Sequence, residues 1–230
     1  MLKVEDIHTY YGDSYILQGV SLEVGEGDVI GILGRNGMGK TTLMRSLIGF
    51  TPPRQGRVMY REKEVTHKKP HEIARLGISI VSQGRGVFSS LKVAENLNLG
   101  FRAKAGGWTL EKVYELFPPL KGRAHHYGSQ LSGGEQQMLA IGRSLMTNPS
   151  LLLMDEPTEG LSPIYVSTVG QVIRKLQEGG LSILLVEQNL RFALKHADRI
   201  HILSQGKIVH STSPQELDAN YEIKHQYLGV

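Results

Sequence analysis

A glycine-rich loop between a buried strand and a helix is the feature that most constrains the fold of this chain. Residues 29–33 form a continuous apolar run, which is typical of a central strand. Residues 34–41 fit the pattern GxxxxGK[ST], and the apolar periodicity of 41–48 predicts a helix directly after them. In such a loop the backbone N–H groups point inward at the positive end of a helix dipole, which predicts a phosphate-binding site. The residues predicted to form this site are Gly34, Arg35, Asn36, Gly37, Met38, Gly39, Lys40, Thr41 and Thr42.

The polar side chains at the end of this loop have distinct predicted roles. Lys40 can reach the β- and γ-phosphates of a nucleoside triphosphate, and Thr41 can offer its hydroxyl to Mg²⁺. Thr42 can bond the α-phosphate. A glycine-rich loop with a lysine present by chance would need neither a strand before it nor a helix after it. We therefore expect ATP and Mg²⁺ to bind here.

Apolar runs of strand length alternate with helical patterns along much of the chain. This alternation predicts a mostly parallel sheet covered by helices. The further predicted strands span residues 78–81, 151–154, 183–186 and 199–203. The further predicted helices span residues 93–99, 110–116, 135–146, 165–177 and 190–196, and Ser213-Pro214-Gln215-Glu216 has the pattern of another helix start.

Two stretches depart from this alternation. Residues 2–24 contain alternating apolar positions separated by turn residues, which predicts antiparallel strands. Residues 85–150 carry helical patterns and little strand signal, which predicts a helical insertion between two core strands. We therefore predict an α/β fold with a single domain over residues 1–230. It would combine a P-loop NTPase core with an N-terminal antiparallel β subdomain and an inserted helical subdomain.

An apolar strand that ends in two acidic residues predicts the metal site and the catalytic base. Residues 151–154 are followed by Asp155 and Glu156. Because successive strand residues point to opposite faces, the two carboxylates are expected to have different tasks. We expect Asp155 to hold Mg²⁺ through its water shell and Glu156 to polarise the water that attacks the γ-phosphate. A surface turn after a core strand is the alternative, and the presence of the phosphate loop argues against it.

The string LSGGEQQ at residues 131–137 carries a family resemblance. Together with the phosphate loop and the acidic strand, it resembles the nucleotide-binding subunits of ATP-binding-cassette (ABC) transporters, over essentially the whole chain. Ser132, Gly133 and Gly134 form a donor-rich turn at a predicted helix N-terminus, which suits an anion. The resemblance implies the ABC ATPase fold. It also implies that this turn binds the γ-phosphate of ATP held by the opposite subunit of a head-to-tail dimer.

The resemblance extends to single positions outside these three motifs. Tyr11 matches the aromatic residue that stacks on adenine, with Tyr10 as a rival. Gln83 matches the glutamine that contacts Mg²⁺ and the attacking water, in a loop that senses the transmembrane subunits. The string Gly160-Leu161-Ser162-Pro163 matches the loop that crosses the dimer interface.

Gln188 departs from the family pattern. Many cassette ATPases have a histidine at this position, which contacts the γ-phosphate. A glutamine amide can donate a hydrogen bond but carries no charge, and a charge-assisted hydrogen bond is roughly twice as strong as a neutral one. We therefore predict that Gln188 belongs to the catalytic residues, with Glu156 and Gln83, and that it gives the transition state weaker support than histidine would.

Several short strings indicate the type of transporter. VEQN at 186–189, QGRG at 83–86, EPTEGL at 156–161 and ELFP at 115–118 are similar to the ATPase subunits of importers for branched-chain amino acids, and for urea and short-chain amides. That similarity implies three kinds of partner. They are a second ATP-binding subunit, identical or paralogous, two transmembrane permease subunits and, indirectly, an extracytoplasmic solute-binding protein. An exporter with separate permeases and a cassette ATPase that transports nothing are the alternatives.

Charge and hydropathy constrain whether such a chain binds nucleic acid or enters a membrane. The formal net charge is +4 without a dense basic run, so we do not expect nucleic acid as a partner. No apolar run approaches the ~20 residues of a membrane-spanning helix, and the acidic N-terminus lacks the apolar core of a signal peptide. We therefore expect a peripheral protein on the cytoplasmic face of the inner membrane.

Overall fold

Two β-sheets organise the protein, and the computed structural model describes residues 1–229. Within those residues the strands are β1 (Leu2–Tyr11), β2 (Ser14–Val24), β3 (Val29–Leu33), β4 (Gln55–Tyr60), β5 (Lys63–Glu64), β6 (Ile78–Val81), β7 (Leu151–Asp155), β8 (Ser182–Glu187), β9 (Arg199–Ser204) and β10 (Lys207–Thr212). The α-helices are α1 (Lys40–Leu47), α2 (Pro70–Arg75), α3 (Val93–Asn98), α4 (Leu110–Leu116), α5 (Pro118–Gly122), α6 (Gly133–Leu145), α7 (Pro163–Glu178), α8 (Leu190–His196), α9 (Pro214–Ala219) and α10 (Tyr221–Ile223).

The N-terminal sheet is antiparallel and has the strand order β2-β1-β4-β5. Its first hairpin pairs Leu2 with Val24 and Tyr11 with Ser14 across the two-residue turn. The alternating apolar positions of 2–24 place one face of this hairpin against the core, so the predicted antiparallel strands are confirmed. The sequence analysis missed β4 and β5, which complete the sheet.

The central sheet has the strand order β10-β9-β3-β8-β7-β6. Five of its strands run parallel, and β10 pairs antiparallel with β9 at one edge. All residues of β3, β7 and β8 are buried, as expected for continuous apolar runs in a sheet covered on both faces. Each predicted core strand is confirmed, and β7, β8 and β9 extend one residue beyond the predicted C-terminal ends.

Helices pack on both faces of this central sheet. One hydrophobic core joins the sheet to α3, α4, α6 and α7, and it includes the buried Phe117. A second core lies between the other face, α1 and the N-terminal sheet, and it includes the buried Tyr60. Helices α3 to α6 lie between β6 and β7 in the chain. The strands before and after that segment, β6 and β7, pair directly with each other, which brings Gln83 and Asp155 to one edge of the sheet.

The helices of residues 1–229 include none that is long and apolar enough to span a membrane.

A buried histidine in β9 predicts a loss of stability in mild acid. Burial lowers the pKa of His201 from its ordinary value of 6.5 to about 4, and its Nδ1 lies 2.6 Å from Ser211 Oγ. The unfolded chain takes up a proton at this residue below about pH 6.5 while the folded chain does not, so stability falls as the pH drops from 6.5 towards 4. Between pH 7.5 and pH 5 the parent should lose about 2 kcal/mol more unfolding free energy than His201→Gln in urea titrations. Equal losses in the two proteins would contradict this prediction.

Candidate functional site

The carboxyl ends of four neighbouring parallel strands bring the predicted catalytic residues together. In the order β3-β8-β7-β6, these strands are followed by the phosphate loop, Gln188, Glu156 and Gln83 respectively. Parallel strands end at a common edge of their sheet, and ligands of open α/β sheets bind outside that edge. The topology therefore collects residues that lie more than 150 positions apart in the sequence, as the separation of residues 34 and 188 illustrates.

The phosphate loop surrounds a cleft of about 340 Å³ at the N-terminus of α1. Gly39 caps this helix with φ 104°, a left-handed backbone that favours glycine and turns the loop into the helix. Lys40 Nζ donates hydrogen bonds to the carbonyl oxygens of Gly34, at 2.7 Å, and Arg35, at 3.0 Å. The cleft is lined by Ile16, Asn36, Gly37, Gly39, Lys40, Thr41, Thr42, Gln83 and Glu156.

A buried ion pair connects the phosphate loop to the acidic strand. Lys40 Nζ lies 3.0 Å from Glu156 Oε1, and the two side chains are only 4% and 7% exposed. Gln83 Nε2 donates to the other carboxylate oxygen of Glu156 at 3.2 Å and to Glu159 Oε2 at 3.0 Å. The predicted phosphate-binding lysine, the predicted base and the predicted metal-side glutamine thus form one network. An anion that binds Lys40 will compete with Glu156 for its ammonium group.

Asp155 has a different environment from Glu156. Its Oδ1 is buried and has no hydrogen-bond partner within residues 1–229. Burial raises the pKa of Asp155 to about 6, while the neighbouring Thr41 hydroxyl and Lys40 ammonium oppose that rise. Glu156 lies just past β7 and has φ 50°, so strand alternation, from which we argued the two roles, does not extend to it. The separation of the two carboxylates comes from this left-handed turn.

Three residues of the predicted loop do not line the cleft. Gly34 packs so closely on β9 that an added Cβ would lie 2.4 Å from the carbonyl oxygen of Leu203. Met38 directs its sulfur towards the turn after β9, where Gln205 N lies 3.3 Å away. Arg35 extends towards Gly229. These residues hold the loop against the sheet, and only the backbone carbonyls of Gly34 and Arg35 contact Lys40.

The LSGGEQQ turn caps α6 and does not line the cleft of the same chain within the described residues. Ser132 N donates to Glu135 Oε2 at 2.8 Å, and Glu135 N donates back to Ser132 Oγ at 3.4 Å, which is a capping box. Gly134 has no room for a side chain, because an added Cβ would lie 2.2 Å from the Tyr165 ring. Ser132 is exposed, Gly133 is half-buried and Gly134 is buried, so the N-terminal end of the turn lies at the surface.

Comparison with known proteins decides the family. The profile of the family described as ABC transporter matches residues 17–159, which is more than half of the chain. The chain belongs to the ABC transporter family. Proteins of this family bind nucleotide, and the chain is accordingly an ATPase cassette.

Individual ABC proteins align with the chain over nearly its whole length. The high-affinity branched-chain amino acid transport ATP-binding protein BraG of Pseudomonas aeruginosa is 42% identical, and the alignment covers 100% of both chains. The lipopolysaccharide export system ATP-binding protein LptB of Escherichia coli K12 is 30% identical over 99% of this chain and 97% of LptB.

Solved ABC cassettes share the fold. The ADP conformation of the cassette MJ1267 has a TM-score of 0.85 at 28% identity, covering 97% of this chain and 96% of that one. A dimeric post-hydrolysis structure of the cassette MJ0796, bound to ADP and Pi, has a TM-score of 0.81 at 26% identity, covering 93% and 99%. The α/β fold with a P-loop NTPase core is therefore confirmed, and a cassette of this fold is known to form a dimer.

The two candidate aromatic residues of this ABC cassette have different surroundings. The Tyr10 ring stacks on Tyr15 at 4.5 Å on one side, and the Arg54 guanidinium lies 4.6 Å from its centroid. The Tyr11 side chain is 42% exposed, and Ile16 on the facing strand lines the phosphate cleft. Tyr10 is thus already occupied by neighbours, whereas Tyr11 is accessible.

Sequence reasoning missed four residues of the ABC site. Ile16 lines the cleft, Glu159 accepts a hydrogen bond from Gln83, and the hydroxyl of Tyr165 lies 3.4 Å from Ser132 Oγ. The fourth, Glu187, is buried at the end of β8 beside the exposed Gln188. A charged residue that ends a continuous apolar strand is an unusual pattern, and it could have directed attention to Glu187.

Proposed function

We propose that this ABC cassette binds MgATP in the cleft around Lys40 and hydrolyses it with Glu156 as the catalytic base. The observation that carries the proposal is the network of Lys40, Gln83 and Glu156 at the carboxyl edge of the sheet. Lys40 would leave Glu156 for the β- and γ-phosphates when nucleotide enters. Glu156 would then be free to polarise a water molecule that Gln83 helps to position. Thr42 would bond the α-phosphate.

Thr41 and Asp155 fit a magnesium ion. Both are oxygen ligands, and the buried Asp155 Oδ1 has no partner among the described residues. Residues 1–229 contain no cluster of three or more His, Cys, Asp or Glu side chains suited to a metal, which agrees with an ion that relies on phosphate and water oxygens. The bound metal would neutralise charge on the phosphates. Thr41, Asp155 and Gln83 would keep it in place.

Tyr11 is the better candidate for stacking on the adenine base. Its ring is accessible, and it lies in the same hairpin as Ile16, which lines the cleft. Tyr10 has Tyr15 on one face and Arg54 over its ring, so a base would have to displace one of them. This contrast supports Tyr11 in the choice that the sequence left open.

We also propose that a second ATP-binding subunit completes each site. Ser132, Gly133 and Gly134 do not line the cleft of their own chain within the described residues, and the exposed Ser132 lies at the N-terminus of α6, where an anion would be favoured. A head-to-tail dimer would bring this turn to the γ-phosphate bound at Lys40 of the opposite subunit. The dimeric MJ0796 cassette supports such an arrangement.

The solute class and direction of transport follow from the similarity to BraG. An identity of 42% with BraG, against 30% with LptB, favours import of branched-chain amino acids over lipopolysaccharide export. The related urea and short-chain amide importers stay within the proposal. The partners would be two permease subunits and, indirectly, an extracytoplasmic solute-binding protein, with no nucleic acid.

The cassette would attach peripherally at the cytoplasmic face of the inner membrane. The helical subdomain predicted over residues 85–150 offers exposed apolar side chains to a permease, namely Phe88, Leu99 and Phe101. Val87 packs against the core, so it is not available as an anchor. Exposed apolar residues of this size are typical anchors of protein interfaces.

Reconstitution tests the transport function. The cassette should copurify with the two permease subunits encoded beside it, and the complex in proteoliposomes should take up labelled leucine when MgATP and the neighbouring solute-binding protein are present. Lys40→Ala in the same complex is the inactive control, because it removes the phosphate-binding ammonium together with its ion pair to Glu156 and its hydrogen bonds within the loop. Transfer of lipopolysaccharide without leucine, urea or amide uptake would contradict the import proposal.

Gln188→His is expected to raise turnover. The exposed side chain at residue 188 follows β8, next to the acidic strand. A protonated histidine there would make a charge-assisted hydrogen bond to the γ-phosphate, and we expect about a tenfold increase in kcat. The measurement is phosphate release from MgATP, with the cassette alone and in the assembled transporter. No gain in either setting would count against the role given to Gln188.

A further inference from the structure

A single buried carboxylate connects the two loops that flank the proposed catalytic centre. Glu187 ends β8 and is 2% exposed. Its Oε1 accepts hydrogen bonds from the backbone N–H of Thr158, at 3.1 Å, and from the Thr158 hydroxyl, at 2.8 Å. Its Oε2 accepts from the backbone N–H groups of Gln188 and Asn189, each at 3.1 Å. Each oxygen therefore serves a different loop.

Burying a carboxylate is energetically unfavourable unless hydrogen bonds compensate for the lost hydration. Burial raises the pKa of Glu187, and the four hydrogen bonds from its neighbours oppose that rise. A buried carboxylate is tolerated only when its lone pairs are satisfied, and here four donors converge on it. A neutral side chain with one donor and one acceptor group could not accept from both loops at once.

The two loops hold the groups proposed to act on the attacking water. Thr158 lies two residues after Glu156, in a turn whose first residue has a left-handed backbone with φ 50°. The backbone N–H of Glu156 also donates to the Val186 carbonyl of β8, at 2.9 Å. Gln188 directly follows Glu187. The spacing between Glu156 and Gln188 thus depends on the carboxylate between their loops.

We infer that Glu187 is a positioning residue for ATP hydrolysis, which acts through Thr158 and the backbone of Gln188 and Asn189. The inference rests on the proposed function, because it needs Glu156 and Gln188 at the γ-phosphate. Glu187 lies outside the lining of the phosphate cleft. Its loss should consequently lower kcat while nucleotide affinity is retained, since a displacement of about 1 Å in a catalytic group can cost about 100-fold in rate.

Glu187→Gln tests the inference with an isosteric change. The amide NH₂ would face the donors of one loop, whichever way the side chain is turned, so that loop loses its acceptor. We expect kcat for MgATP to fall about 100-fold and nucleotide affinity to change by less than about threefold. A kcat within about threefold of the parent would overturn the inference, as would an equal loss of kcat and affinity.

A matched pair of threonine variants covers the case in which Glu187→Gln does not fold. Thr158 and Thr66 are both buried, and each hydroxyl donates at 2.8 Å to a glutamate, Glu187 and Glu64 respectively. Thr158→Val and Thr66→Val each remove a threonine-to-glutamate hydrogen bond, and Thr66→Val also removes the acceptor of the Val58 N–H, but only Thr158 lies beside the site. We expect about a tenfold lower kcat for Thr158→Val at comparable unfolding midpoints, and parent-like kcat for Thr66→Val. Indistinguishable kcat values in the two variants would overturn the inference.

Phosphate release by the unchanged protein distinguishes a failure of this inference from a failure of the proposed function. If the proposed function is wrong, the unchanged full-length chain will release no phosphate from MgATP above background, in isolation or with its permeases. If only the role of Glu187 is wrong, the parent will hydrolyse ATP and the variants at residues 187 and 158 will match it.

Discussion

Glu156→Gln is expected to lower ATP hydrolysis by about 100- to 10,000-fold while ATP still binds, because an amide cannot accept a proton from the attacking water. Glu156 is buried and forms an ion pair with Lys40. The substitution removes that negative charge, so Lys40 no longer has to exchange a carboxylate for a phosphate. Nucleotide affinity should therefore be unchanged or higher.

Phosphate release, nucleotide titration and size-exclusion chromatography together check this prediction. With MgATP present, Glu156→Gln should elute as a stable dimer, because the nucleotides that hold the subunits together are not consumed. Glu159→Gln is the control in the same loop, since the Glu159 carboxylate is exposed and also accepts from Gln83. Near-parent turnover of Glu156→Gln would mean that another group acts as the base.

Ser132→Arg is expected to reduce ATP hydrolysis about 100-fold or more and to prevent dimer formation with MgATP. In the proposed dimer the serine turn receives the γ-phosphate bound by the opposite subunit. Loss of one such anion-binding group typically costs a factor of about 100 to 1,000 in rate, and the arginine side chain would also fill the interface. ATP binding to the isolated cassette should persist, because Ser132 does not line its own cleft within the described residues.

The chain offers a closely matched control for this substitution. Ser213 caps α9 with the same capping box, in which Ser213 N donates to Glu216 Oε2 at 3.0 Å and Glu216 N donates back at 3.3 Å. Both substitutions remove a helix cap worth about 1 kcal/mol, so their effects on stability should be similar. Ser213→Arg should hydrolyse ATP as the parent does. Parent-like turnover and dimerisation of Ser132→Arg would rule out the shared site.

Buried strands and the phosphate loop were predictable from the sequence because their signals are local. The apolar run of β3, the glycines after it and the periodicity of α1 are consecutive in the chain. Strand β4 was missed because it has mixed polarity, and β5 was missed because it is two exposed charged residues. The place of β4 in the N-terminal sheet depends on pairing with β1, more than 50 residues away in the case of Lys3 and Met59, and β5 pairs in turn with β4.

Strand alternation does not account for the different surroundings of the two acidic residues at the end of β7. Alternation along a strand separated the tasks of Asp155 and Glu156. In the structure β7 ends at Asp155, and Glu156 turns into a left-handed conformation. That turn directs Glu156 to Lys40 and Gln83, whereas Asp155 Oδ1 keeps a free buried lone pair within residues 1–229.

By itself the sequence determined the family, the phosphate loop, the acidic pair and the LSGGEQQ turn, because each is a run of adjacent residues whose chemistry requires that order. Only the tertiary structure decided that Lys40 pairs with Glu156, that Tyr10 is covered by Tyr15 and that Glu187 connects two loops. These contacts join residues from different strands, helices and loops. Their existence depends on strand order and on which side chains are buried together, and no short stretch of sequence contains either.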